Sequence, residues 1–254
     1  IIVAVWFLLE KVGCESEEHR DLTLYKTSNT RLGGIFMEVL RLENISKVYN
    51  QKMVSLQALN HVGLSVQKGE FIAVLGRSGS GKTTLLNIIA GIDVPSGGEV
   101  FIEGTNIAGL NEKKRTLLRR EKIGFIFQAY ELLPALTVIE NIKLPQLKKE
   151  DGYIKELLDI LEIGKYEKFY PDQLSGGQKQ RAAIARALVN HPAVILADEP
   201  TGNLDSKTER IVIDLLKALA KRYKASVILV THNEKLVKDA DRTIRFEDGE
   251  IING

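Results

Sequence analysis

Short apolar runs alternate with amphipathic stretches along most of the chain. Phe71 to Leu75 (FIAVL), Ile123 to Phe127 (IGFIF), Val194 to Asp198 (VILAD) and Ser226 to Val230 (SVILV) are near-continuous apolar segments of strand length. Such runs are expected of strands buried on both faces. Helical patterns occupy 82–90, 178–190 and 207–223. Ile154, Leu157, Leu158 and Leu161 stand at i, i+3, i+4 and i+7, which predicts an amphipathic helix over 153–163. The chain alternates like a strand from Val39 onward, and again from Val100 to Ile107, where Gly97-Gly98 in front reads as a hairpin signal. Asp248-Gly249, between Thr243 to Phe246 and Glu250 to Ile252, reads as a hairpin turn. Buried strands alternating with helices predict an α/β fold with a mostly parallel sheet covered on both faces. The rhythm breaks over about 129–178, which reads as an inserted helical subdomain.

The first 36 residues differ from this body. Ile1 to Leu9 is an apolar run followed by a polar stretch without a clear period. The run is too short for a membrane helix and lacks the flanks of a signal peptide. Three readings stand: an upstream extension with Met37 as the true start, the tail of a membrane segment, or an ordered extra helix. The first is expected, with residues 1–36 poorly packed and the functional domain over 37–254. The 254 residues carry 35 Lys+Arg against 33 Asp+Glu, a net of +2, which excludes nucleic-acid binding by bulk charge. A single cysteine, Cys14, excludes an intramolecular disulfide and a multi-Cys zinc site. The basic run Lys113-Lys114-Arg115 with Arg119-Arg120 and Lys122 is interrupted by Glu121 and carries Leu117 and Leu118, so a solvated amphipathic helix is expected there.

Candidate chemistry begins at Gly76-Arg77-Ser78-Gly79-Ser80-Gly81-Lys82-Thr83, with Thr84 next, between a predicted strand and a predicted helix. This is G-x-x-x-x-G-K-[ST] in the required context. The glycines let backbone N–H groups turn inward around phosphates, and the following helix aims its N-terminus at the same charge. Lys82 can neutralise the β- and γ-phosphates, and Thr83 can offer its hydroxyl to Mg²⁺. Asp198 and Glu199 end the apolar run VILAD, where open α/β sheets bind ligands. Asp198 would hold Mg²⁺; Glu199 could polarise an attacking water. Ser175-Gly176-Gly177-Gln178, just before a helix, forms a second anion site by residue type, although a plain helix cap is also good physics. One nucleotide per monomer would leave that second site idle, and a two-fold dimer closing each turn on the partner's nucleotide would use it.

Leu174 to Gln178 (LSGGQ), together with the phosphate loop and VILADEP, resembles the nucleotide-binding domain of the ATP-binding-cassette (ABC) family over 37–254. The resemblance implies a P-loop NTPase core with an N-terminal antiparallel β subdomain and an inserted helical subdomain. It implies ATP hydrolysis with Mg²⁺, in a homodimer or pseudo-symmetric dimer closed through ATP. It implies an integral-membrane permease as partner, and a peripheral place on the cytoplasmic face of the cell membrane. Residue by residue, Tyr49 resembles the aromatic that stacks on adenine, and Gln128 the glutamine sensing Mg²⁺ and water. Asp205, after Asn203-Leu204, resembles the acid of the loop crossing the dimer interface, although Asp205 or Ser206 could also cap the helix at 207. His232 resembles the switch histidine contacting the γ-phosphate. DEPTGNLD at 198–205 and the run 130–145 resemble the branch serving lipoprotein release, macrolide export and antimicrobial-peptide systems, with a cell-division relative. The stretch between Pro145 and Tyr170 is shorter than usual there, so part of a helix is expected to be missing.

Other classes fit less well. A P-loop kinase would have no use for LSGGQ followed by DEP. A chromosome-maintenance ATPase would carry a long heptad insertion, and a translation factor of this family usually carries two cassettes. The rival that stays open is the same ATPase in a membrane complex that transports nothing, in a cell-division or signalling role.

Overall fold

The computed structural model describes residues 37–51 and 54–253. The expectation for residues 1–36 lies outside the described residues. A four-stranded antiparallel sheet is built from β1 (Glu38–Gln51), β2 (Val54–Gln67), β4 (Gly97–Ile102) and β5 (Thr105–Asn106), in the order β2-β1-β4-β5. A six-stranded sheet holds β3 (Phe71–Leu75), β6 (Ile123–Ile126), β7 (Val194–Asp198), β8 (Ser226–Thr231), β9 (Arg242–Glu247) and β10 (Glu250–Asn253), in the order β10-β9-β3-β8-β7-β6. Its strands pair in parallel apart from the β9–β10 hairpin. The helices are α1 (Lys82–Ile89), α2 (Glu112–Lys122), α3 (Val138–Lys143), α4 (Asp151–Ile160), α5 (Gly176–Leu188) and α6 (Ser206–Tyr223).

The continuous apolar strands are explained by two cores, one on each face of the six-stranded sheet. Ile72 and Val74 of β3, Leu196 of β7 and Ile228 and Val230 of β8 pack with α1 and the antiparallel sheet. Phe71, Ile195, Ala197, Val227 and Leu229 point the other way, into a core completed by α3 to α6. With side chains alternating across each strand, both faces must be apolar. The residues Ile154, Leu157, Leu158 and Leu161 are all buried in that second core. The helix carrying the first three spans Asp151–Ile160, so it starts and ends slightly earlier than expected. Between β6 and α5 the chain forms only α3, α4 and two 3₁₀ turns, the inserted helical subdomain.

Two local expectations are corrected. Gly97-Gly98 is not a hairpin turn but the start of β4. The turn between β4 and β5 falls instead at Glu103 and Gly104, whose φ angles are 46° and 78°. Gly98 is small because a Cβ there would stand 2.4 Å from the carbonyl oxygens of Glu43 and Asn44. In α2 the apolar face is not simple: Leu117 is 37% exposed, whereas Arg119 is buried and donates to the Gly91 carbonyl at 2.9 Å. Tyr49 lies near the end of β1.

Candidate functional site

Parallel pairing places the carboxyl ends of β3, β6, β7 and β8 at one edge of the sheet, and Gly76, Gln128, Asp198 and His232 follow or close those strands. The phosphate loop runs from β3 into α1, with Gly81 in the N-cap position at φ 103°. The Lys82 ammonium is buried inside this loop. It donates to the carbonyls of Gly76 at 2.9 Å and Arg77 at 2.6 Å, and reaches the Ser80 hydroxyl at 3.4 Å. Burial pulls the Lys82 amine down, and the charges of Glu199 and Asp198 oppose that. Ser78 and Gly79 are exposed on the loop, Thr83 is exposed and Thr84 half-buried on the first turn of α1.

Thr83 donates its hydroxyl to the Asp198 carboxylate at 2.9 Å, which ties the loop to the end of β7. Burial pushes the Asp198 carboxyl up; the bond from Thr83 counters this and the neighbouring Glu199 charge adds to it. Glu199 has a left-handed backbone, φ 42°, and its N–H donates to the Val230 carbonyl of β8. Its two carboxylate oxygens face different partners: Oε1 lies 3.2 Å from Nδ1 of His232, and Oε2 accepts from the Gln128 amide at 3.5 Å. Glu199 and His232 line an open cleft of about 440 Å³ together with Thr201, Gly202, Leu204, Glu209, Thr231 and residues 233–235. A hydroxyl, a half-buried carboxylate and a side-chain amide are hard oxygen donors on one side of a cationic loop. That donor set suits Mg²⁺ on a phosphate chain.

Tyr49, near the end of β1, borders the phosphate loop through a side-chain hydrogen bond with Thr84. Its hydroxyl donates to Asp93 at 2.7 Å, and the Lys47 ammonium, 2.6 Å from the same carboxylate, sits 4.8 Å from the ring centroid. Burial, and then the bond to Asp93, raise the phenol. Asp93 and Lys47 are functional-site neighbours that sequence reasoning missed; no motif marks them, and they are 44 and 2 residues away from Tyr49.

Ser175 and Asp205 lie on a surface rather than in the cluster. Ser175 is exposed and N-caps α5: its hydroxyl accepts from Gln178 N–H at 3.4 Å and the Gln178 side chain accepts from Ser175 N–H at 2.8 Å. The two glycines have reasons within their own chain. A Cβ at Gly176 would meet the Tyr130 hydroxyl at 3.0 Å and Leu204 at 3.1 Å, and one at Gly177 would meet Thr208 at 2.9 Å. Asp205 caps α6, accepting from the N–H groups of Lys207 and Thr208 at 3.1 Å and from the Thr208 hydroxyl at 2.6 Å. The Thr208 hydroxyl, more than any other partner, holds the Asp205 carboxyl below the usual range. Both capping readings are thus realised, and neither uses the exposed face of these turns.

Comparison with known proteins identifies the family. The ABC transporter family model matches residues 59–202. The chain is 43% identical to an uncharacterized ABC transporter ATP-binding protein, MJ0796, of Methanocaldococcus jannaschii, over 84% of this chain and 95% of the relative. It is 39% identical to the lipoprotein-releasing system ATP-binding protein LolD of Bordetella pertussis, over 84% of this chain and 94% of that protein. It is also similar to a solved dimeric structure of the ATP-binding cassette MJ0796 in a post-hydrolysis state bound to ADP and Pi. There the TM-score is 0.78 at 41% identity, covering 84% of this chain and 97% of the other. The chain belongs to the ABC transporter family, as one of its ATP-hydrolysing cassettes.

Proposed function

We propose that two copies of this chain close around two ATP molecules, each held by the phosphate loop of one copy and the Ser175 turn of the other, and that the cycle drives a membrane permease. The observation that carries this reading is the exposure of Ser175 at the N-terminus of α5, outside the cluster formed by the chain's own phosphate loop. A helix N-terminus with a hydroxyl and two close-approach glycines suits a second phosphate. The dimeric relative bound to ADP and Pi supports the same arrangement.

In this reading Tyr49 stacks on adenine. The backbone of Gly76 to Gly81 cradles the phosphates, and Lys82 supplies positive charge between the β- and γ-groups. Thr83, Asp198 and Gln128 would hold Mg²⁺. When bound, that ion neutralises charge on the phosphate oxygens. Glu199 orients a water and takes its proton as the water oxygen bonds to the γ-phosphorus and the bond to the β,γ-bridging oxygen breaks, giving ADP and phosphate. His232, held beside Glu199, contacts the γ-phosphate. There is little covalent work for the protein, so positioning and charge carry the barrier reduction. Asp205 acts on the partner copy across the interface.

The permease would take up the cycle at the surface following Gln128, which places the cassette peripherally at the cytoplasmic face of the cell membrane. Among the described residues no helix is long and apolar enough to cross a membrane. The likeness to LolD supports a lipoprotein-releasing system. The test is Glu199→Gln with ATP: it is expected to bind nucleotide, turn over very slowly and elute as a dimer on gel filtration. A variant that remained monomeric and hydrolysed ATP at the parent rate would refute the assignment.

A further inference from the structure

Glu209 belongs to none of the motifs, yet it joins two of the loops that carry them. It stands in the first turn of α6. Its Oε1 accepts from the Thr201 hydroxyl at 3.0 Å and from the Asn233 side-chain amide at 3.1 Å; Oε2 also lies 3.1 Å from that amide nitrogen. Thr201 is buried and lies two residues after Glu199. Asn233 is half-buried and directly follows His232. The Asn233 side-chain oxygen accepts from Lys235 N–H at 3.0 Å, and the Asn233 backbone N–H donates to the Thr231 hydroxyl at 3.1 Å. The roots of the two loops are already joined by the bond from Glu199 N–H to the Val230 carbonyl. Glu209 adds a second tie on the far side of Glu199 and His232.

We propose that Glu209 is a positioning residue that sets the spacing between Glu199 and His232, and so governs turnover rather than ATP affinity. The proposal rests on the roles given above to those two residues. A carboxylate accepting from both a hydroxyl and an amide fixes two loops at once with charge-assisted bonds. Tight positional control matters because a misplacement of about 1 Å in a reacting geometry costs up to ~100-fold in rate. The tie also reaches the interface: Glu209 N–H donates to the Asp205 carbonyl at 2.8 Å, so a pull on the Asp205 turn by a partner copy is delivered to the loop bearing His232.

The donor and acceptor can be exchanged, which provides the test. Asn233→Asp sets two carboxylates against each other. In the double variant Glu209→Gln/Asn233→Asp the new amide donates to the new carboxylate, and its oxygen still accepts from Thr201. Turnover at saturating MgATP, affinity for a fluorescent ATP analogue and melting temperature are measured on the full chain. Glu209→Ala and Asn233→Asp are each expected to lower kcat by roughly 10- to 100-fold, with affinity within about twofold of the parent. The double variant is expected to recover kcat to within about threefold of the parent. Parent-level kcat in Glu209→Ala, or a double variant as slow as Asn233→Asp, overturns the proposal, as does a parallel fall of affinity and kcat. Should Glu209→Ala fail to fold, Asn233→Asp and the double variant decide alone. Glu199→Gln is run beside them: if it retains parent turnover, the assignment of the base fails and the proposal with it. If Glu199→Gln is inactive while the Glu209 variants are normal, only the clamp is refuted.

Discussion

Replacing Arg186 by methionine tests how the segment after Gln128 is held. Arg186 is buried in α5 and donates to two backbone carbonyls, that of Tyr130 at 2.8 Å and that of Glu131. Both acceptor residues are left-handed, with φ of 62° and 48°. That conformation costs a non-glycine residue about 1–2 kcal/mol, so the segment needs an external hold. Burial pulls the guanidinium well below its usual value, to about 10, which leaves it charged at neutral pH. By the usual conversion this shift corresponds to about 3 kcal/mol of charge-burial cost. The two charge-assisted bonds contribute about 1.5–3 kcal/mol each and so slightly outweigh it. Methionine, of similar length and without polar atoms, removes cost and gain together and strands two carbonyls. The net loss should be about 1–3 kcal/mol, read from urea unfolding at pH 7. Arg186→Lys keeps a buried charge but lacks the fork that serves both carbonyls, so it should be destabilised at least as much. Both variants should also lose turnover, because Tyr130 and Glu131 follow Gln128 and the Tyr130 hydroxyl abuts Gly176. A methionine variant within about 0.5 kcal/mol of the parent and with unchanged ATPase would show that the left-handed pair is held by something else.

The remaining predictions concern the nucleotide site. Asp198→Asn removes a carboxyl that burial pushes up. A folded pKa above the unfolded one means that ionisation costs stability; the cost is absent below the unfolded pKa and full above the folded one. The variant should therefore melt roughly 2–4 °C higher than the parent at pH 7, the gap closing as pH falls through the carboxylate range, while ATPase activity is lost. A lower melting point at pH 7 would contradict this. Ser175→Arg, placed in a Glu199→Gln background, should abolish ATP-driven dimers in analytical ultracentrifugation while ATP affinity stays within about twofold; intact dimers would remove the Ser175 turn from the interface. Tyr49→Ala and Asp93→Ala should each weaken ATP binding, and the double variant should lose less than the sum, since Asp93 acts through the Tyr49 ring. Strict additivity in a binding titration would separate the two residues.

What could be read from the chain, and what could not, follows from how far each feature reaches. β3, β6, β7 and β8 were legible because burial on both faces leaves no polar position to confuse the pattern. β2 was not identified. Its buried residues Leu59, Val62, Leu64 and Val66 do not hold one period, since its pairing with β1 shifts register near Ile45 and Lys47. Arg119, Arg186 and Glu209 are charged residues on helices, and such positions read as solvent-facing. Their burial or bonding depends on loops 28, 55 and 24 residues distant, where Gly91, Glu131 and Asn233 supply the partners. The motif glycines were found for one reason and turn out to satisfy two. A Cβ at Gly76 would stand 2.2 Å from the Phe246 carbonyl of β9, and one at Gly81, 2.4 Å from the Ala58 carbonyl of β2. The phosphate loop is thus pressed from outside by both sheets, at the same residues whose bareness opens its inner side to phosphate. An alanine at either position would disturb the packing of the two sheets even in the absence of nucleotide, so a loss of ATP binding there measures the fold as well as the site.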